Sequence, residues 1–213
     1  MDAQAWRMLL DGAWVTAWIS GLSIALGVVI GLGMALLRLA RIPVVDTLLA
    51  TWISLSRATP LVTLMLFLFL AAPSLGWTPA REWIAVAALT INTSAFNAEV
   101  WRAAFRAFSR EQREAALACG MRPGQILRRI MLPQMAISSL PGLVNEMSFL
   151  VKGSPAIAII GLVDLSRVTN RIAAVTYEPL PPILAAAAIY MLLIALLLKL
   201  QSIAERRAQR LAM

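Results

Sequence analysis

Three ionisable residues, Glu99, Glu146 and Lys152, stand inside largely apolar stretches of this 213-residue chain, with Asn92, Asn97 and Asn145 as polar neighbours. A charge at membrane depth is costly and marks a solute or ion pathway by default. One Lys with one or two Glu side chains complements a solute that carries both a carboxylate and an ammonium. Asn97, Glu99, Asn145, Glu146 and Lys152 are therefore the candidate pathway residues. Two plainer readings stand beside this one. Glu99, Glu146 and Lys152 can form a fixed ion pair between two helices, or Glu99 and Lys152 can snorkel to the interface. Other chemistry finds no support in the sequence. There is no histidine, the usual proton shuttle and commonest metal ligand. No G-x-x-x-x-G-K-[ST] phosphate loop occurs, nor a cluster suited to metal or nucleophilic work. No catalytic residue and no metal site is expected.

The elements that hold these residues are apolar helices. The chain is 60% hydrophobic and 14% charged, with mean hydropathy +0.78. A run of about 20 apolar residues crosses the hydrocarbon core as a helix. Five spans are expected, near residues 13–37, 51–72, 82–105, 134–151 and 182–201, in one transmembrane domain covering residues 1–213. The fold class is all-α, membrane-embedded. Gly27 and Gly31 have GxxxG spacing, which lets helices approach closely and suits internal packing. The net charge of +8 gathers where cytoplasmic loops should lie, so the partner is the lipid bilayer and not nucleic acid. Arg38, Arg41, Arg102, Arg106, Arg110, Arg113 and the tail (Lys199, Arg206, Arg207, Arg210) predict an outside N-terminus and a cytoplasmic C-terminus. A sixth span near residues 156–162 would put the basic tail outside. A single Cys119 rules out an internal disulfide framework, and Met1 to Asp11 lacks the basic start of a signal peptide. Trp6, Trp14, Trp18, Trp77 and Trp83 fit interfacial belts.

One polar, Arg-rich stretch, residues 109–133, interrupts this pattern on the expected cytoplasmic side. Ser109 with Gln112 fits a capping box. Gly120 suits a C-cap, Pro123 the first turn of a second short helix, and Pro133 ends or bends that helix. Ala115, Ala116 and Ala118 make the first helix thin enough to lie in a groove of another protein. The plainer reading is an amphipathic helix coating lipid.

Glu114-Ala115-Ala116, then Gly120, Ile130, Leu132 and Pro133, resembles the EAA signature of ABC importer permeases. Arg57-Ala58-Thr59-Pro60-Leu61, Ala95-Phe96-Asn97-Ala98-Glu99, Leu140-Pro141 with Asn145, Leu150-Val151-Lys152, and Ile160-Gly161 with Asp164-Leu165 resemble motifs of its polar amino acid branch, the histidine and glutamine type. The similarity covers about residues 9–205.

The resemblance implies type I importer architecture, with residues 109–133 as a coupling helix in a groove of a separate ABC ATPase that binds ATP and Mg²⁺. It implies that this chain binds no cofactor and catalyses no reaction. Implied partners are that ATPase, a periplasmic or surface substrate-binding protein, a second permease chain (homo- or heterodimer) and an amino acid substrate, in a bacterial inner membrane. Lys152-Gly153-Ser154-Pro155-Ala156 departs from the family's Lys-Asp-Thr-Ser-Leu, and Arg102-Ala103-Ala104 from its Arg-Gly-Gly. These departures leave open a permease for another small zwitterion, such as an opine. A non-transporting membrane scaffold or regulator is the other alternative. Arg57 reads as structural or gating. The outer segment with Asp164, Arg167, Arg171 and Glu178 reads as a docking site for the binding protein or as a solvated loop.

Overall fold

The computed structural model describes residues 1–212, except the side chains of residue 205 and residues 207–212. Arg207 and Arg210, counted in the orientation argument, fall among those side chains. Helix α1 (Ala3–Leu39) starts where the Asp2 carboxylate accepts the Ala5 N–H at 2.8 Å. It runs along α4 (Arg81–Ala107), the central helix, which also packs against three others introduced below. Glycine makes the α1–α4 approach possible. A Cβ on Gly31 would lie 2.8 Å from Asn97 Cβ and 3.0 Å from the Ala98 nitrogen, and one on Gly27 would collide with Thr93. The GxxxG pair therefore serves internal packing.

Residues 51–72 do not form one rod. They divide between α2 (Pro43–Ala58) and α3 (Leu61–Ser74), which are bent by 105°. Pro60 has no N–H to continue the ladder and biases its predecessor to extended backbone. Thr59 accordingly sits at φ −82°, ψ 123°.

After α4 come α5 (Arg110–Ala118) and α6 (Pro123–Ile126). A π-turn over Leu127–Met131 then leads into α7 (Leu132–Gly153). A 3-10 helix of 7 residues, Ser154–Ile160, ends at Gly161 with φ +91°. It is too short to be a sixth span. The segment beyond it holds a helix, α8 (Leu165–Thr176), where a loop was one reading. Asp164 is its buried N-cap, accepting the Ser166 and Arg167 N–H groups at 3.2 and 3.0 Å. Its carboxylate is therefore occupied within the fold. Helix α9 (Leu180–Ala212) closes the chain.

Ile19, Met65, Leu89 and Ile157 centre one core, joining α1, α3, α4 and the 3-10 turn. Leu9, Leu165, Val168 and Ala186 centre another among α1, α8 and α9. At the opposite end, Ala35, Trp101, Phe105, Met135 and Leu143 join α1, α4 and α7. Ala3–Leu39, the continuous Pro123–Ile160 and Leu180–Ala204 are long and apolar enough to cross a membrane, and the bent α2–α3 pair counts as a fourth such unit. Helix α4 contains residues 82–105. Its polar letters lower its hydropathy, but α1, α2, α3 and α7 pack around it.

Candidate functional site

A cavity of about 380 Å³ lies where the α2–α3 break faces α4 and α7. Arg57, Thr59, Asn92, Phe96, Glu146 and Phe149 line it. Asn92 and Phe96 share a face of α4 at i, i+4, and Glu146 and Phe149 share one of α7 at i, i+3. The Arg57 guanidinium carbon stands 5.2 Å from the Phe96 ring centroid, within cation–π range. An arginine fork suits a carboxylate, a glutamate suits an ammonium, and the two phenyl rings suit an apolar stem. The helix break supports this geometry, because it ends α2 with Arg57 at the cavity wall.

The candidate pathway residues do not share this cavity; only Glu146 lines it. Glu99 accepts from Arg38 at 3.2 Å and from Arg102 through both Nε (2.9 Å) and Nη2. Arg38 also donates to Asp46 at 2.7 Å. Glu99 thus belongs to a cluster tying α1, α2 and α4 together. The ion pair with Lys152, one of the plainer readings, does not form, and Lys152 is exposed, with its Nζ 5.5 Å from the Phe149 ring centroid. Asn97 is fully buried against α1 and donates to Thr93 Oγ1 at 3.4 Å, while its Oδ1 has no partner among the described residues. Asn145 is exposed. Arg57, read from sequence as structural or gating, is the cation that lines the cavity with Glu146. The signal that could have placed it was its position three residues before the helix-breaking Pro60.

Ser109 caps the first hairpin helix by one half of the expected capping box, and the return bond from the Gln112 side chain does not form among the described residues. Ser109 Oγ accepts the Gln112 N–H at 3.2 Å, and Arg110 pairs with Glu114 at 2.9 Å. Gly120 takes φ +76°, open to glycine without the Cβ penalty. The Met121 N–H then reaches the Ala116 carbonyl at 3.1 Å, closing a Schellman-type turn. Ala116 is buried, whereas Glu114, Ala115, Gly120 and Pro133 are exposed, and Ile130 and Leu132 are half-buried. Pro133 does not end this helix. The π-turn before it carries the Leu132 N–H to the Leu127 carbonyl, so the helix continues despite the missing Pro133 N–H.

Residues 27–210 match the family described as the binding-protein-dependent transport system inner membrane component. The chain belongs to that family. This permease is 31% identical to the arginine transport system permease protein ArtQ of Bacillus subtilis (strain 168), over 93% of this chain and 91% of that one. It is 30% identical to the octopine transport system permease protein OccM of Rhizobium radiobacter, over 95% and 86%. A crystal structure of an amino acid ABC transporter with histidines superposes with TM-score 0.86 at 32% identity, covering 94% of each chain. The MetNI methionine ABC transporter, inward facing, shares the fold at TM-score 0.81 and 19% identity, over 98% of this chain and 99% of that one.

Proposed function

We propose that this permease is the membrane-spanning subunit of an ATP-binding-cassette importer that moves a polar amino acid into the cytoplasm. The observation that carries the substrate class is the cavity in which Arg57 and Glu146 offer opposite charges beside Phe96 and Phe149. A zwitterion fits both charges at once. The similarity to ArtQ over nearly the whole chain supports the same reading. ATP, with Mg²⁺, binds a separate ATPase, whose groove receives the exposed face around Glu114, Ala115 and Gly120. A substrate-binding protein docks at the end that carries α8. A second permease chain, identical or related, completes the pathway and covers Asn145 and Lys152. The protein sits in a bacterial inner membrane with its N-terminus outside and its C-terminus in the cytoplasm. The arginines around the hairpin support that orientation.

The cycle follows from this arrangement. A loaded binding protein docks, ATP closes the ATPase pair, and the hairpin passes the motion to α4 and α7. The cavity turns outward, takes the solute and resets after hydrolysis. The similarity to the octopine permease supports a second reading, in which the solute is an opine. Reconstitution with ATPase and binding protein in proteoliposomes, followed by uptake of a panel of amino acids and opines, tests both. ATP-dependent accumulation of a polar amino acid is the expected result, and no uptake of any zwitterion would overturn the proposal.

A further inference from the structure

At the end of the bundle that carries Arg38, between the hairpin and the helices, two cavities lie side by side. The first, about 430 Å³, is rimmed by Arg38, Arg41, Arg102, Arg106, Arg110 and Arg113, with Asp46 as its one lining acid. The second, about 450 Å³, is walled mainly by apolar side chains, among them Leu36, Leu117, Ile126 and Leu127. Leu39, Arg41, Arg113 and Met131 line both, so a basic compartment and an apolar one share a wall.

The charges in the first cavity are unequally compensated. Arg38 is paired with Asp46 and Glu99, Arg102 with Glu99, and Arg110 with Glu114. Arg41, Arg106 and Arg113 have no carboxylate in ion-pair range among the described residues, and all three are exposed. We propose that the joined cavities bind one anionic phospholipid. Its phosphate lies among Arg41, Arg106 and Arg113, and an acyl chain lies along Leu36, Leu39 and Ile126.

Three features favour a lipid over a protein surface. The occupant needs an anionic end and an apolar end within the span of two adjoining cavities. The site also lies at interface depth, because the apolar run of α1 gives way to Arg38 and Arg41 there, and basic pockets between helices at this level suit anionic headgroups. Finally, Arg110, Arg113 and Leu117 line these cavities from the same face of α5 that buries Ala116. The site therefore opens toward the bundle. A protein docking on the hairpin meets the other face, with Glu111 and Ala115.

The test is native mass spectrometry of the full chain, extracted with its co-purifying subunits after reconstitution in equimolar phosphatidylglycerol and phosphatidylcholine with identical acyl chains. Retention of phosphatidylglycerol in preference to phosphatidylcholine is expected. Each of Arg41→Gln, Arg106→Gln and Arg113→Gln should weaken that retention by about fivefold. Equal retention of the two lipids overturns the proposal without any variant. Displacement of the lipid by inorganic phosphate alone overturns it in favour of a free-anion site. Protection of the three arginines by an ATPase, with no phosphatidylglycerol retained, overturns it in favour of a protein interface. Should Arg41→Gln or Arg113→Gln fail to fold, Arg106→Gln, at the exposed end of α4, carries the comparison.

Discussion

Arg38, at the end of α1, meets Glu99 of α4 at 3.2 Å, and the same guanidinium holds Asp46 of α2 at 2.7 Å. One arginine thus fastens three helices at the end of the bundle nearest the hairpin. The side chains of Arg38 and Glu99 are only 16% and 19% exposed, so solvent screens the pair less than a surface bridge. Glu99→Gln leaves the half-buried Arg102 guanidinium without its anion and Arg38 with Asp46 alone. It should cost about 1–3 kcal/mol, read as a lowered melting temperature in mild detergent. Arg38→Met with Glu99→Met should cost less than the sum of the two single changes. Additive losses would mean that the two side chains act independently.

Gly31 and Gly33 provide a contrast within one helix. A Cβ at Gly31 meets Asn97 and the α4 backbone, whereas one at Gly33 meets nothing within 4 Å. Gly31→Ala should destabilise by about 1–3 kcal/mol through overpacking. Gly33→Ala should be neutral or slightly stabilising, since Ala is the better helix former. Equal melting temperatures for the two variants would contradict the close α1–α4 approach.

Gly120 separates backbone strain from contact. Asn and Asp both tolerate its left-handed conformation, and no atom lies within 4 Å of an added Cβ. Gly120→Asn and Gly120→Asp should therefore insert and melt like the parent. Gly120→Asp should nonetheless abolish uptake, either by uncoupling ATP hydrolysis or by preventing ATPase assembly. Transport at the parental rate would remove residues 109–133 from the coupling role.

The cavity reading divides the former pathway set. Arg57→Ala or Glu146→Gln should raise the KM for uptake by about tenfold or more, the loss of one charged hydrogen bond. Asn97→Ala should chiefly alter stability, because Asn97 packs against α1. An unchanged KM for both cavity variants would place the solute elsewhere.

Burial pushes the Asp164 carboxyl above its ordinary value, against the lowering effect of the Arg167 and Ser166 N–H groups. The folded state then holds that proton more tightly than the unfolded chain. The resulting stabilisation is present at acid pH and is lost as pH rises through the unfolded value to the raised folded one. Asp164→Asn keeps a cap acceptor and removes the titration. From about pH 3 to about pH 7 the parent should therefore lose stability relative to the variant. A parent that gains stability over that range would show the N–H groups outweighing burial.

Much of this was legible in the sequence because local chemistry decided it. Ser109, Gly120 and Pro123 act on their own backbone or that of near neighbours, and the structure uses Gly120 and Pro123 as their residue types predict and Ser109 as an N-cap without the full capping box. Gly27 and Gly31 were legible as a close approach, although the partner helix was not. What could not be read depended on three dimensions. Glu99 and Lys152 stand on helices whose relative rotation sets their partners, so spacing alone leaves a pathway, an ion pair and snorkelling open. Arg57 gained its place from a bend of 105° at Pro60. A hydropathy pattern does not report such a bend, because both halves remain apolar. Pro133 reads in the sequence as ending or bending a helix, but a wider turn upstream absorbs its missing N–H.

That wider turn has a mechanical consequence. Pro123–Ile160 is one helical piece of 38 residues, and at about 1.5 Å per residue it acts as a connecting rod on the order of 50 Å long. Ile130 and Glu146 ride on it together, so a tilt imposed at the hairpin displaces the wall of the cavity with little slack between them. The five residues from Leu127 to Met131 are an irregular joint between the hairpin and the cavity wall, where stiffness can be tuned without altering either end.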